Sequence, residues 1–122
     1  MKLPALLVLG VLALAPTAKA ADLSGLWIIS SSIVQSPVTM DCSILQVGVG
    51  LSGWCESENS DATPAALTGS INQNTASWAY TLTVQGQPMR VAYQTTVTGD
   101  AKAMSGQLTY GVSSATLSAV RK

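Results

Sequence analysis

The chain has 122 residues, no formal net charge, no histidine and no phenylalanine, and 10% of its residues are charged. Without histidine it lacks the commonest general base, metal ligand and triad member, so its many serines have no conventional activator. With no basic stripe it also lacks the footprint of a phosphate-binding surface, which argues against nucleic acid as a partner.

The first twenty residues read as an export signal. Lys2 supplies a positive start, Ala5 to Ala15 an apolar run, and Ala18-Lys19-Ala20 a small-residue cleavage site. The apolar run falls short of the ~20 residues a spanning helix requires. Residues 1–20 are therefore expected to be a signal peptide and residues 21–122 one small domain. The expected location is periplasmic or secreted. Within 21–122 the bases are Arg90, Lys102, Arg121 and Lys122, against the acids Asp22, Asp41, Glu56, Glu58, Asp61 and Asp100. Four minus six leaves a net charge of −2.

One tripeptide recurs along the domain, as Leu23-Ser24-Gly25, Leu51-Ser52-Gly53, Leu67-Thr68-Gly69 and Met104-Ser105-Gly106. Each opens a strand-like stretch, and its irregular spacing excludes a solenoid of fixed period. A strand glycine marks a bend or a close approach by a neighbour. In chain order, strands are expected near 25–33, 38–46, 51–57, 66–71, 76–84, 89–97, 104–110 and 115–121. The alternation is clearest from Trp78 to Val84 and from Met89 to Val97. Four-residue loops at 34–37, 72–75 and 85–88 set Leu26 opposite Leu45, Gly69 opposite Trp78 and Tyr80 opposite Tyr93, and the next two strands continue that last line through Leu108 and Leu117. The longer loop, 58–65, carries Glu58, Asn59 and Asp61 beside Glu56. That acidic cluster has no metal-ligand spacing and reads as solvated. No metal or cofactor is expected.

Short connections force antiparallel neighbours. The expected fold is all-β, an eight-stranded antiparallel up-and-down barrel, because closure removes the exposed edges. A two-sheet sandwich is the competing form. A connection at 47–50 places Cys42 directly opposite Cys55, close enough to bridge in an oxidising compartment. One cross-strand disulfide, Cys42–Cys55, follows. Outward positions on the fourth to eighth strands are mostly Ala, Ser, Thr and Gln, unlike the apolar band of a membrane barrel.

Gly25-Leu26-Trp27 on the first strand and Arg121 at the end of the last resemble the signature of the calycin barrels: lipocalins, fatty-acid-binding proteins and avidins. The resemblance implies that Trp27 closes the barrel base with Arg121 across its ring, a cation–π lock. The ending Leu117-Ser118-Ala119-Val120-Arg121 is similar to that of avidins. Ala21-Asp22-Leu23-Ser24-Gly25-Leu26-Trp27 and a disulfide starting in the second strand also resemble small periplasmic inhibitors of secreted zinc metalloproteases. Those inhibitors thread an N-terminal trunk into the protease cleft. Here two residues precede Leu23, about 7 Å of extended chain, too short for that mode.

Inward aromatics supply the candidate ligand-binding residues: Trp78, Tyr80, Tyr93 and Tyr110. Their phenols could orient a small apolar ligand in the barrel mouth, or their rings could fill the core. On the outside, period two sends Leu26, Ile28, Leu45 and Trp54 to one apolar patch. That patch is the candidate interface with a second copy or an envelope protein partner, the competing reading being that the long loop at 58–65 covers it. The expected function is a non-enzymatic binding module for a small apolar ligand or peptide. The alternative is a protein–protein device such as a protease inhibitor, or a structural envelope protein.

Overall fold

A computed structural model describes residues 21–33, 36–58 and 64–122. The expected signal peptide and loop residues 59–63, with Asn59 and Asp61, lie outside the described residues. The chain forms eight strands in sequence order: β1 (Gly25–Ile33), β2 (Ser36–Val47), β3 (Gly50–Ser57), β4 (Ala65–Asn72), β5 (Thr75–Val84), β6 (Gln87–Val97), β7 (Ala103–Tyr110) and β8 (Ser113–Arg121). Each pairs antiparallel with the next, and β8 returns to β1 through pairs from Trp27↔Arg121 to Ser31↔Leu117. The barrel is closed, so no sheet edge is left open.

Alternation drives the closure. On β6, Val91, Tyr93, Thr95 and Val97 are buried while Arg90, Gln94 and Thr96 are exposed. The same rule sends Trp27, Cys42, Leu67, Trp78, Leu108 and Leu117 into one core. Residues 21–24, the turns at 48–49 and 73–74, the 98–102 connection and the C-terminus gather at one end, the base. The β5–β6 and β7–β8 turns lie at the other, the mouth.

The recurring tripeptides mark where neighbouring strands press together. Leu51 and Gly53, Leu67 and Gly69, and Met104 and Gly106 all point inward, with Ser or Thr between them facing out. A Cβ on Gly69 would meet the Cα and Cβ of Trp78 at 2.6 Å, and one on Gly106 would lie 2.8 Å from the Thr95 Cα. Gly53, at φ 142°, would drive a Cβ into the Ser43 carbonyl. Glycine kinks of this kind let a twisted sheet curve far enough to close.

Five hairpins are tighter than the sequence suggests; those at 48–49 and 73–74 keep the expected register, and the other three shift it. Ile33 pairs with Ser36, Val84 with Gln87 and Tyr110 with Ser113, so each connection is two residues rather than four. Leu26 consequently faces Ser43 instead of Leu45, Tyr80 faces Val91 instead of Tyr93, and Leu108 faces Ala115 instead of Leu117. At the β5–β6 turn, Gln85 (φ 52°) and Gly86 (φ 80°) adopt the left-handed values of a tight hairpin, whose twist matches that of the flanking strands. A shift of two keeps every side chain on its expected face. The expected pairs Cys42↔Cys55, Gly69↔Trp78 and Tyr93↔Leu108 are present. Cys42 and Cys55 are disulfide-bonded across β2 and β3 with Cα atoms 4.1 Å apart, the spacing of a narrow antiparallel pair.

Candidate functional site

Three regions carry side chains beyond simple packing: the base, the inner aromatic layer below the mouth, and the outer face around Trp54.

At the base, Trp27 is fully buried and its Nε1–H donates to the Leu23 carbonyl at 2.9 Å. Leu23, also fully buried, lies under the barrel as a plug, its N–H donating to Gln46 Oε1 at 2.8 Å. The Arg121 guanidinium carbon sits 4.7 Å from the Trp27 ring centroid. Its Nε donates to the Ala101 carbonyl at 3.0 Å, Nη1 to that of Ser24 at 2.5 Å, and Nη2 to that of Asp22 at 2.6 Å. Gly25 makes room for this fork, since a Cβ there would stand 2.8 Å from Nη1. Arg121 thus ties the chain's entry segment, the 98–102 connection and the last strand to one cation. Asp22 is held below the ordinary carboxylate range by the Ser24 backbone N–H. The Thr98 hydroxyl and the Lys102 N–H do the same for Asp100. Sequence reasoning found Trp27 and Arg121 but not Leu23 or Gln46, whose roles depend on the chain folding back beneath the barrel.

Below the mouth, the structure brings three of the four aromatic candidates together. The Trp78 and Tyr93 rings stack with centroids 4.9 Å apart and planes 11° from parallel. Tyr80 tilts against Tyr93 at 5.6 Å, and the two phenol oxygens are 2.6 Å apart. Tyr110 stands beyond Val91, which pairs with Tyr80 on one side and Tyr110 on the other. Burial falls off toward the mouth: Trp78, Tyr80 and Tyr93 are buried, whereas Leu82, Met89, Tyr110 and Ala115 are half-buried. Desolvation raises the ionisation of both Tyr80 and Tyr93 above the ordinary phenol range, so both stay protonated. Two donors of this layer are unmatched among the described residues. One phenol proton bridges the two oxygens, and the accepting hydroxyl keeps a proton for which the described residues offer no acceptor. The Trp78 Nε1–H is buried and also has no partner among the described residues.

On the outside, Trp54 and Leu45 are exposed, and Leu26 and Ile28 half-buried. Leu26 and Trp54 line one cleft of about 360 Å³ with Asp41, Ser43, Glu56 and Pro64. Leu45 and Trp54 line a second, of about 690 Å³, over Gly25 and Gly53. Ile28 lies between Asp41 and Val120 in the strand pairing. The register that pairs the cysteines also sets Asp41 directly opposite Glu56. That juxtaposition could have been read from the sequence and was missed. Glu58 is raised above the ordinary carboxylate range, chiefly by a side-chain hydrogen bond with Asp41.

Among the described residues no group of three or more Asp, Glu, Cys or His converges as a metal-ligand set, and no helix is long and apolar enough to cross a membrane. Comparison with protein-family models, with curated proteins and with solved structures finds no match to this chain.

Proposed function

We propose that this chain is a non-enzymatic, exported binding module, a calycin-like barrel whose mouth receives a small and largely apolar ligand bearing a hydrogen-bond acceptor. One observation carries the reading: the layer beneath the mouth holds surplus donors. Buried donors without acceptors are rare and costly in a finished core, and an acceptor from a bound molecule would complete them. The half-buried Leu82, Met89 and Tyr110 would form the apolar wall above, with Tyr80 and Tyr93 as the polar floor. Export is supported by the signal-like first twenty residues and by the disulfide, which persists in an oxidising compartment. The calycin likeness is supported by the contact between Arg121 and Trp27. Inhibition of a protease by an N-terminal trunk is disfavoured, because Leu23 is buried and the Ala21 N–H donates to the Gln73 carbonyl at 3.1 Å.

The test is native mass spectrometry of protein purified from the periplasm, followed by solvent extraction and titration with an environment-sensitive naphthalene dye. A co-purifying small molecule, and dye uptake near one per barrel that Tyr110→Trp blocks, are the expected results. No bound molecule and no dye uptake, together with a loss of roughly 3–5 kcal/mol on Tyr93→Ala, would mean a filled core and overturn the reading.

A further inference from the structure

The outer face around Trp54 combines features that a surface serving only the barrel would not keep. Trp54 is 59% exposed and Leu45 56%, on an exterior otherwise dominated by Ser, Thr, Ala and Gln. The indole stands between two clefts: one over Gly53 with Leu45 on its wall, the other with Leu26 beside Asp41 and Glu56. Asp41 and Glu56 are like charges directly opposite on neighbouring strands, an arrangement that destabilises a sheet. Among the described residues neither forms an ion pair, and Asp41 shares a hydrogen bond with Glu58, which feels the positive charge of Lys122. Oδ1 of Asp41 is shielded from solvent and has no hydrogen-bond donor among the described residues.

Charge decides what fits. A second copy meeting this face about a twofold axis would bring the same carboxylates toward each other, in a domain whose net charge is already −2. A cation reverses every term: it stacks on the indole, neutralises the Asp41–Glu56 pair and supplies a donor to Asp41 Oδ1, which has none among the described residues. Arginine suits this better than lysine, since its planar fork stacks on an aromatic face while bonding carboxylates.

We infer that the Trp54 face docks an arginine-bearing, extended segment of another protein. The guanidinium lies in the cleft of Trp54, Asp41 and Glu56, and a neighbouring apolar side chain enters the cleft over Gly53. The site is separate from the barrel mouth, and its test does not depend on the proposed ligand.

Trp27 and Trp78 are 0% and 2% exposed, so acrylamide quenching of tryptophan emission reports on Trp54. The probe is the blocked peptide Ala-Arg-Ala-Leu-Ala, beside versions with lysine and with uncharged citrulline in place of arginine. The arginine peptide is expected to protect Trp54 and to bind at least tenfold more tightly than the citrulline peptide, with lysine between them. Added salt should weaken it. Asp41→Asn with Glu56→Gln should abolish the difference between arginine and citrulline while raising the melting temperature, because the opposed charges are gone. Trp54→Ser should remove binding and leave the circular dichroism spectrum unchanged. Equal binding of the arginine and citrulline peptides would overturn the inference. So would a concentration-dependent dimer in sedimentation that Trp54→Ser dissociates, which would make a second copy the occupant.

Discussion

Replacing Arg121 by alanine removes more than a cation–π contact. The guanidinium gives three hydrogen bonds to main-chain carbonyls besides its place over Trp27. The bonds to Ala101 and Ser24 are part-buried and the one to Asp22 is exposed. Taking about 1 kcal/mol for each part-buried bond, little for the exposed one and about 1 kcal/mol for the ring contact gives roughly 3 kcal/mol. That is a large share of the stability of a domain this size. It corresponds to a fall in melting temperature of about 12 °C or more. Arg121→Lys keeps a cation but not the fork, and is expected to lose about 2 kcal/mol. Lys122→Ala is the control, expected within about 0.5 kcal/mol of wild type. Urea unfolding followed by circular dichroism measures all three. If Arg121→Ala matched Lys122→Ala, the base would not be held by this residue, and the support it gives to a calycin-like closure would go with it.

Peptide mapping without reduction should recover Cys42 linked to Cys55 from exported protein, and replacing both by serine should cost about 3 kcal/mol for a loop this short. Gly69→Ala should destabilise by several kcal/mol in thermal melts, because its methyl would meet the Trp78 backbone; an effect under about 1 kcal/mol would deny the close approach. Absorbance titration should show Tyr80 and Tyr93 resisting ionisation until the protein unfolds. Their folded values are raised above the ordinary value of 10.0, so the unfolded chain releases these protons first. Stability should be unaffected by them below that value and fall above it, by about 1.4 kcal/mol per pH unit for each tyrosine. Free ionisation of all three tyrosines in folded protein would contradict the burial of the pair.

The barrel was legible because its evidence repeats in every strand. Period-two alternation fixed which face each residue takes, and the cysteine pair set the β2–β3 register. Turn length was not legible at any of the five hairpins, and at three of them the difference also moved the register. Gln85 carries no mark that it will adopt a positive φ, and Pro37 and Pro88, read as loop residues, belong to strands. The resulting error of two residues moved neighbours along a face without changing the face. For that reason the candidate aromatic layer kept its members while its contacts changed: Trp78, not Tyr80, lies directly across from Tyr93. Leu23 was hidden for a different reason. A residue before the first strand is buried only because the chain crosses the base, which no local period records.

The distribution of unsatisfied groups separates what holds the barrel from what it could be for. At the base the accounting closes. The Trp27 Nε1–H, the Leu23 N–H and all three nitrogens of the Arg121 fork have acceptors in the chain itself. Groups matched this way stabilise and leave nothing to recognise a visitor with. Elsewhere the accounting stays open at two places. Among the described residues the inner layer keeps two donors without acceptors, at Trp78 and in the Tyr80–Tyr93 pair, and the outer face keeps two opposed carboxylates that form no ion pair. The surpluses have opposite sign, one calling for an acceptor and the other for a positively charged donor, and they lie on opposite faces of the same sheet. No single partner completes both, so a small molecule within and a basic protein segment without are independent occupants, each removable by mutations that leave the other in place.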